Sequence, residues 1–158
     1  MSGSLQILVF EVGGQRYALR SPDVRELVRA VTIVRLPKAP AIVEGIINVR
    51  GTVVPVLDIR ARFRLPARPA AHTDHLILAR AGPRLVALRA DRALGLVRVD
   101  AKDVDDAAAV IPAAEYVSGV AKLPDGLALI HDLHTFLSEA EAAALDDAIA
   151  APGAGGAP

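Results

Sequence analysis

Along the first half of the chain, apolar residues come in short runs broken by glycine and proline, and the runs have strand length. Leu5–Val12 is almost continuously apolar, stops at Gly13-Gly14 and resumes as Gln15–Arg20, which predicts a β-hairpin around a glycine turn. Ser21-Pro22-Asp23 punctuates the chain, and Val24–Val34 follows as a further strand rich in β-branched residues, ended by Pro37 and Pro40. Gly45–Val49 and Thr52–Leu57 form a second hairpin around Arg50-Gly51. Pro55 lacks an N–H for a ladder and so predicts an edge strand or a bulge there. Arg62–Asp74, with Pro66 and Pro69 and few apolar residues, reads as a connector.

The second half repeats this pattern. Gly13 and Gly82 stand 69 positions apart, and at that offset Ala18-Leu19-Arg20 meets Ala87-Leu88-Arg89 and Leu27-Val28-Arg29 meets Leu96-Val97-Arg98. Farther along the offset is 74, pairing Gly45 with Gly119, Val56 with Ile130 and Asp58 with Asp132. The slip falls between Arg98 and Gly119, an Ala-rich stretch read as a longer loop. Two such units, each of roughly 60 residues and too small to be stable alone, should pack together as small closed barrels. Past Asp132 the pattern becomes helical, with Ser138 as N-cap of an Ala-rich run to about residue 150. The expected organisation is one domain over 1–150. Subdomain 1 covers about 15–70 and subdomain 2 about 75–137, with strand exchange between them, a C-terminal helix over 138–150 and a disordered tail at 151–158.

Composition narrows the function classes. With 18 Lys+Arg against 18 Asp+Glu the net charge is zero, and with no Trp the chain lacks the basic face and aromatic platforms that nucleic-acid binding needs. The absence of Cys removes disulfides, thiolate zinc sites and thiol catalysis. Hydrophobic residues are 53% but aromatics only 3%, so Ala, Val, Leu and Ile must fill the core. No secretory leader is expected at the N-terminus, and no apolar run approaches the ~18 residues of a membrane span, so no direct membrane insertion is expected.

Candidate chemistry is sparse. The histidines form two H-x-x-H pairs, His72/His75 and His131/His134, but no third ligand stands at a recognised spacing and the repeat places His131 opposite Leu57 rather than another His. Solvent-facing histidines are expected, with no metal and no cofactor; a His-dependent metalloenzyme is the remote alternative. No nucleophile elbow or phosphate loop occurs, so no catalytic residue is assigned and the chain is read as a non-enzyme. The distinctive segment is Glu44–Asp58, EGIINVRGTVVPVLD. An Arg at a hairpin corner can donate forked hydrogen bonds to a partner or merely keep the turn soluble. Gly51 is expected to supply positive φ, and Asp58, recurring as Asp132, to cap the segment after its strand.

Gly45-Ile46-Ile47-Asn48-Val49-Arg50-Gly51 running into Val53-Val54-Pro55-Val56-Leu57-Asp58 resembles the signature of CheW-like coupling proteins of bacterial chemotaxis. Gln15-Arg16-Tyr17-Ala18-Leu19, Leu36-Pro37 and Glu115-Tyr116-Val117-Ser118-Gly119-Val120 agree with it, so the likeness covers about Leu5 to Ile149. The resemblance implies a mostly β fold of two packed, five-stranded SH3-like barrels with a C-terminal helix. It also implies a cytoplasmic, non-catalytic adaptor, recruited to membrane receptor arrays, that bridges methyl-accepting chemoreceptor cytoplasmic tips and the regulatory domain of a CheA-type histidine kinase. Val24, Glu26, Asn48 and Arg50 are the partner-binding residues it implies. A scaffold for another histidine-kinase pathway, such as one governing surface motility, is the nearest alternative.

Overall fold

The computed structural model describes residues 3–29, 31–110 and 115–150, so the tail expected at 151–158 lies outside the described residues. In chain order the elements are β1 (Ser4–Val12), β2 (Gln15–Arg20), β3 (Val24–Arg29), β4 (Val43–Val49), β5 (Thr52–Leu57), α1 (Ile59–Arg62), β6 (His75–Ala81), β7 (Arg84–Ala90), β8 (Arg92–Asp100), β9 (Val104–Asp106), α2 (Ala107–Val110), β10 (Val117–Leu123), β11 (Gly126–His131) and α3 (Glu139–Ala150). Short 3-10 turns at Ser21–Asp23, Ala101–Asp103 and Leu133–Thr135 link them.

The strands form two sheets, ordered β8-β1-β2-β11-β10-β9 and β3-β6-β7-β5-β4. Each sheet mixes strands from both sequence halves: β1 and β2 sit with β8–β11, while β3–β5 sit with β6 and β7. The repeat is visible as matched register. Leu8 opposes Leu96 as Ile77 opposes Leu27, and the parallel pair Ile130/Ala18 repeats Val56/Ala87. Even the irregularities recur, with a shift between Val43 and Gly45 echoed between Val117 and Gly119.

Three expectations change. β3 ends at Arg29 rather than running to Val34, and Val34 instead makes an isolated bridge to Ile46. The stretch expected to be a loop between Arg98 and Gly119 contains the end of β8, β9 and α2, and β9 makes the first sheet six-stranded rather than five-stranded. Pro55 lies on an interior strand, opposite Ile46. Ile46 gives both its N–H and its C=O to Val34, each at 2.8 Å, so the Ile46/Pro55 pair exchanges no backbone bonds and the missing donor is not needed.

Each barrel closes over its own small core: Ile7, Val9, Ala18, Ala121, Ala128 and Ile130 in one, Leu76, Leu78, Ala87, Ile47, Val54 and Val56 in the other. These sets correspond residue by residue at the two offsets. A third, larger core lies between the sheets, where Phe10 and Leu19 meet Ile46, Leu57 and Leu88. Helix α3 is fastened to this core by Leu145 and Ala148. Its start is a capping box, with the Ser138 hydroxyl accepting from the Glu141 N–H at 3.0 Å and the Glu141 carboxylate accepting from the Ser138 N–H at 2.9 Å.

Candidate functional site

In the second sheet β3 and β4 are the two outer strands, and Val34, in the segment that follows β3, bridges to Ile46 of β4. The β4–β5 tip reaches to β3 through Arg50. Arg50 and Gly51 form a two-residue turn in which both have positive φ, 50° and 88°. The Asn48 side-chain oxygen accepts the Gly51 N–H at 2.8 Å and fixes the turn from within. The sequence pattern assigns positive φ to Gly51 alone; the structure adds Arg50, a residue type for which that conformation is costly.

The Arg50 side chain is 71% exposed, and its guanidinium pairs with the Glu26 carboxylate of β3. Beside this pair lies a cavity of about 130 Å³ with Leu78 and Val54 among its apolar lining and Arg25 and Thr52 among its polar lining. Three of the four predicted partner residues therefore converge: Glu26 and Arg50 touch, and Asn48 holds the corner. Val24 does not join them. The register shift between Val24 and Glu26 turns Val24 toward the central core, where it is half-buried. Asp58 follows β5 and accepts the Ala61 N–H at 3.1 Å, and Asp132 accepts the His134 N–H at 3.1 Å in the other half.

Sequence patterns give no sign of a charge network that pins the connector. Arg60 Nη2 donates to both Asp91 carboxylate oxygens at 2.8 and 2.9 Å, Arg68 bridges Asp74 (2.6 Å) and Asp91 (2.8 Å), and Arg89 joins Glu44 (2.9 Å) to Asp74 (3.1 Å). Burial alone would raise Asp91, but bonds from Arg68, the Gly13 N–H and Arg60 outweigh it and bring the carboxyl down to about 2. A second cluster ties α1 to α3, with Arg62 donating to Glu141 at 2.8 Å and to the Tyr116 hydroxyl at 3.0 Å. Neither can be read from spacing, because the partners lie 6 to 79 positions apart with no fixed period. The histidines also depart from expectation. His134 is exposed, but His75 accepts the Ala93 N–H at 3.0 Å and His131 is only 3% exposed. Among the described residues no group of three or more His, Cys, Asp or Glu is placed to hold a metal.

The sequence profile described as the CheW-like domain matches residues 6–141. The chain belongs to the CheW-like domain family. Chemotaxis protein CheW of Klebsiella aerogenes is 26% identical over 144 residues, covering 90% of this chain and 87% of the relative. Protein FrzA of Myxococcus xanthus is 33% identical over 100 residues, 63% of this chain and 62% of the relative. Among solved structures, the scaffolding protein TtCheW of Thermoanaerobacter tengcongensis matches with a TM-score of 0.79 at 27% identity, over 88% of this chain and 96% of its own. The two SH3-like barrels and the C-terminal helix are thus the family's fold, and the family's role is that of a chemotaxis coupling adaptor. No helix among the described residues is long and apolar enough to cross a membrane.

Proposed function

We propose that this CheW-like chain couples methyl-accepting chemoreceptor cytoplasmic tips to the regulatory domain of a CheA-type histidine kinase, and that the β3 edge and β4–β5 corner form a contact surface for them. Arg50 is the contacting cation. Glu26 orients it, Asn48 shapes its turn, and Val24 holds the start of β3 against the core. One observation carries this reading: Arg50 keeps a non-glycine residue at φ 50°, 71% exposed, where glycine or asparagine would fit with less strain. Beyond an exposed ion pair with Glu26, folding gains little from that choice, whereas a fork-shaped donor at a rigid corner suits a partner carboxylate or carbonyl. Recruitment to receptor arrays in the cytoplasm follows from the same reading.

The test is a pull-down of receptor tip and kinase regulatory domain with wild type and Arg50→Ala. A tenfold or greater loss of binding to at least one partner, with melting unchanged, supports the assignment; full binding to both overturns it. The match to FrzA favours a second reading, a scaffold serving a different histidine-kinase pathway. Under that reading the chain co-purifies with another histidine kinase and not with a CheA-type one.

A further inference from the structure

All five aromatic residues of the chain, Phe10, Tyr17, Phe63, Tyr116 and Phe136, lie in one linked cluster, and four of them surround His131. Ring centroids of Phe10, Tyr17, Phe63 and Phe136 stand 4.9 to 5.4 Å from the imidazole. Phe10, Tyr17 and Phe136 belong to the core between the barrels. Among the described residues, neither His131 Nδ1 nor Nε2 has a hydrogen-bond partner. The equivalent place in the other half is Leu57, fully buried, with Ala79 and Val86 where this half has Phe10 and Tyr17. A core position that holds leucine in one half therefore holds a basic, titratable ring in the other.

We propose that His131 is an acid-sensitive latch in the core between the two barrels: the neutral ring packs among the aromatics, and a proton taken up by it loosens that core. An imidazolium needs two hydrogen-bond acceptors or a carboxylate, and among the described residues the surrounding elements offer neither. On β1, Glu11 is turned to Arg92. On β2, Tyr17 presents its ring, and Arg16 points to Asp125. Around α1, Arg60 is held by Asp91 and Arg62 by Glu141, so the nearby cations are already paired and Glu141 of α3 is committed. Before β10, Glu115 is exposed and the Tyr116 hydroxyl accepts from Arg62; within β10 the buried Ser118 hydroxyl makes no bond among the described residues. Asp132, next in sequence, caps the following turn through the His134 N–H, and His134 itself faces solvent.

Burial brings the His131 imidazole down from 6.5 to about 3. The unfolded chain therefore takes up this proton first, and stability present at neutral pH is lost as pH falls below about 6.5. Between pH 7 and 5 the unfolding equilibrium constant should rise about twenty-five-fold through this group alone, because the folded form stays neutral while the unfolded form fills. This latch does not depend on the partner assignment above, and its test needs no partner.

The chain has no Trp, so Tyr17 and Tyr116 report the cluster by their own fluorescence in denaturant unfolding at pH 7 and pH 5. The comparison variant is His131→Leu, which restores the residue of the other half. The three other histidines and all carboxylates are common to both proteins, so their contributions cancel. The unfolding constant of the wild type should rise at least tenfold more than that of the variant between the two pH values; parallel changes within twofold overturn the proposal. A second measurement uses the wild type alone. The His131 ring protons, identified through their contacts with Phe10 and Phe136, should hold their NMR shift from pH 7.5 to 5, and a folded-state titration near 6.5 overturns the proposal even if His131→Leu does not fold.

Discussion

Arg50 shows how one residue separates binding from folding. Its left-handed backbone costs about 1 kcal/mol relative to an unstrained residue, and glycine would remove most of that while adding unfolded-state entropy of similar size. Arg50→Gly should accordingly melt at or slightly above the wild type, within about 1 kcal/mol, and lose partner binding; a clear fall in Tm would show that the Glu26 pair holds the barrel closed. Gly45 is the opposite case. It has no unusual φ, but a Cβ there would stand 2.4 Å from the Val34 carbonyl oxygen, and at Gly119 3.2 Å from that of Asp105. Gly45→Ala should therefore cost about 2 kcal/mol or more in denaturant unfolding, and Gly119→Ala less, because a backbone oxygen must yield at both sites but by far more at Gly45.

At the scale of elements, α3 is short and Ala-rich, and its stability comes from its ends and its buried face rather than from its length. Ser138→Ala removes one side of the capping box and should lower stability by about 1 kcal/mol. Leu145→Ala empties a fully buried position in the core between the sheets and should cost about 2 to 4 kcal/mol. If chemical unfolding ranks the two in the other order, the helix is held by its cap and by Arg62–Glu141 instead of by packing. Local irregularity matters as much in edge strand β3, where one register shift sends Val24 inward and leaves Glu26 on the face where Arg50 arrives.

Across the whole molecule, the network of Arg60, Arg68, Asp74, Arg89 and Asp91 joins the connector to the β7–β8 corner, and the Gly13 N–H brings in the β1–β2 turn. Asp91 binds its proton near 2 when folded against 3.8 for an ordinary aspartate, so the stability it adds is complete above about 4 and is lost as pH falls toward 2. In Asp91→Asn that part of the acid transition should vanish, and unfolding at neutral pH should become easier because Arg60, only 9% exposed, is left without its carboxylate. The two acid transitions are then distinguishable, with His131 acting between about 6.5 and 3 and Asp91 only below about 4.

Much of this protein is legible along the chain because its cues are local. Glycine turns, β-branched runs and the offsets of 69 and 74 determine the hairpins, the repeat and the Ser138 helix start, since each depends on residues within a few positions. The G-x-x-N-x-R-G corner is legible for the same reason. Where distant segments meet is not written locally. Strand exchange places β1 beside β8 and β5 beside β7, and only that closure brings Glu26 to Arg50. Pro55 reads as an edge signal in the chain, whereas the crossing of Val34 shows that its lost donor faces no acceptor. His131 reads as solvent-facing because histidine is polar; its burial follows from a position that the repeat assigns to Leu57, so the one available signal is the offset of 74. Turn geometry and side-chain alternation are short-range properties and therefore belong to the sequence, whereas ion pairs and aromatic contacts depend on how the two barrels close, which only the tertiary structure decides.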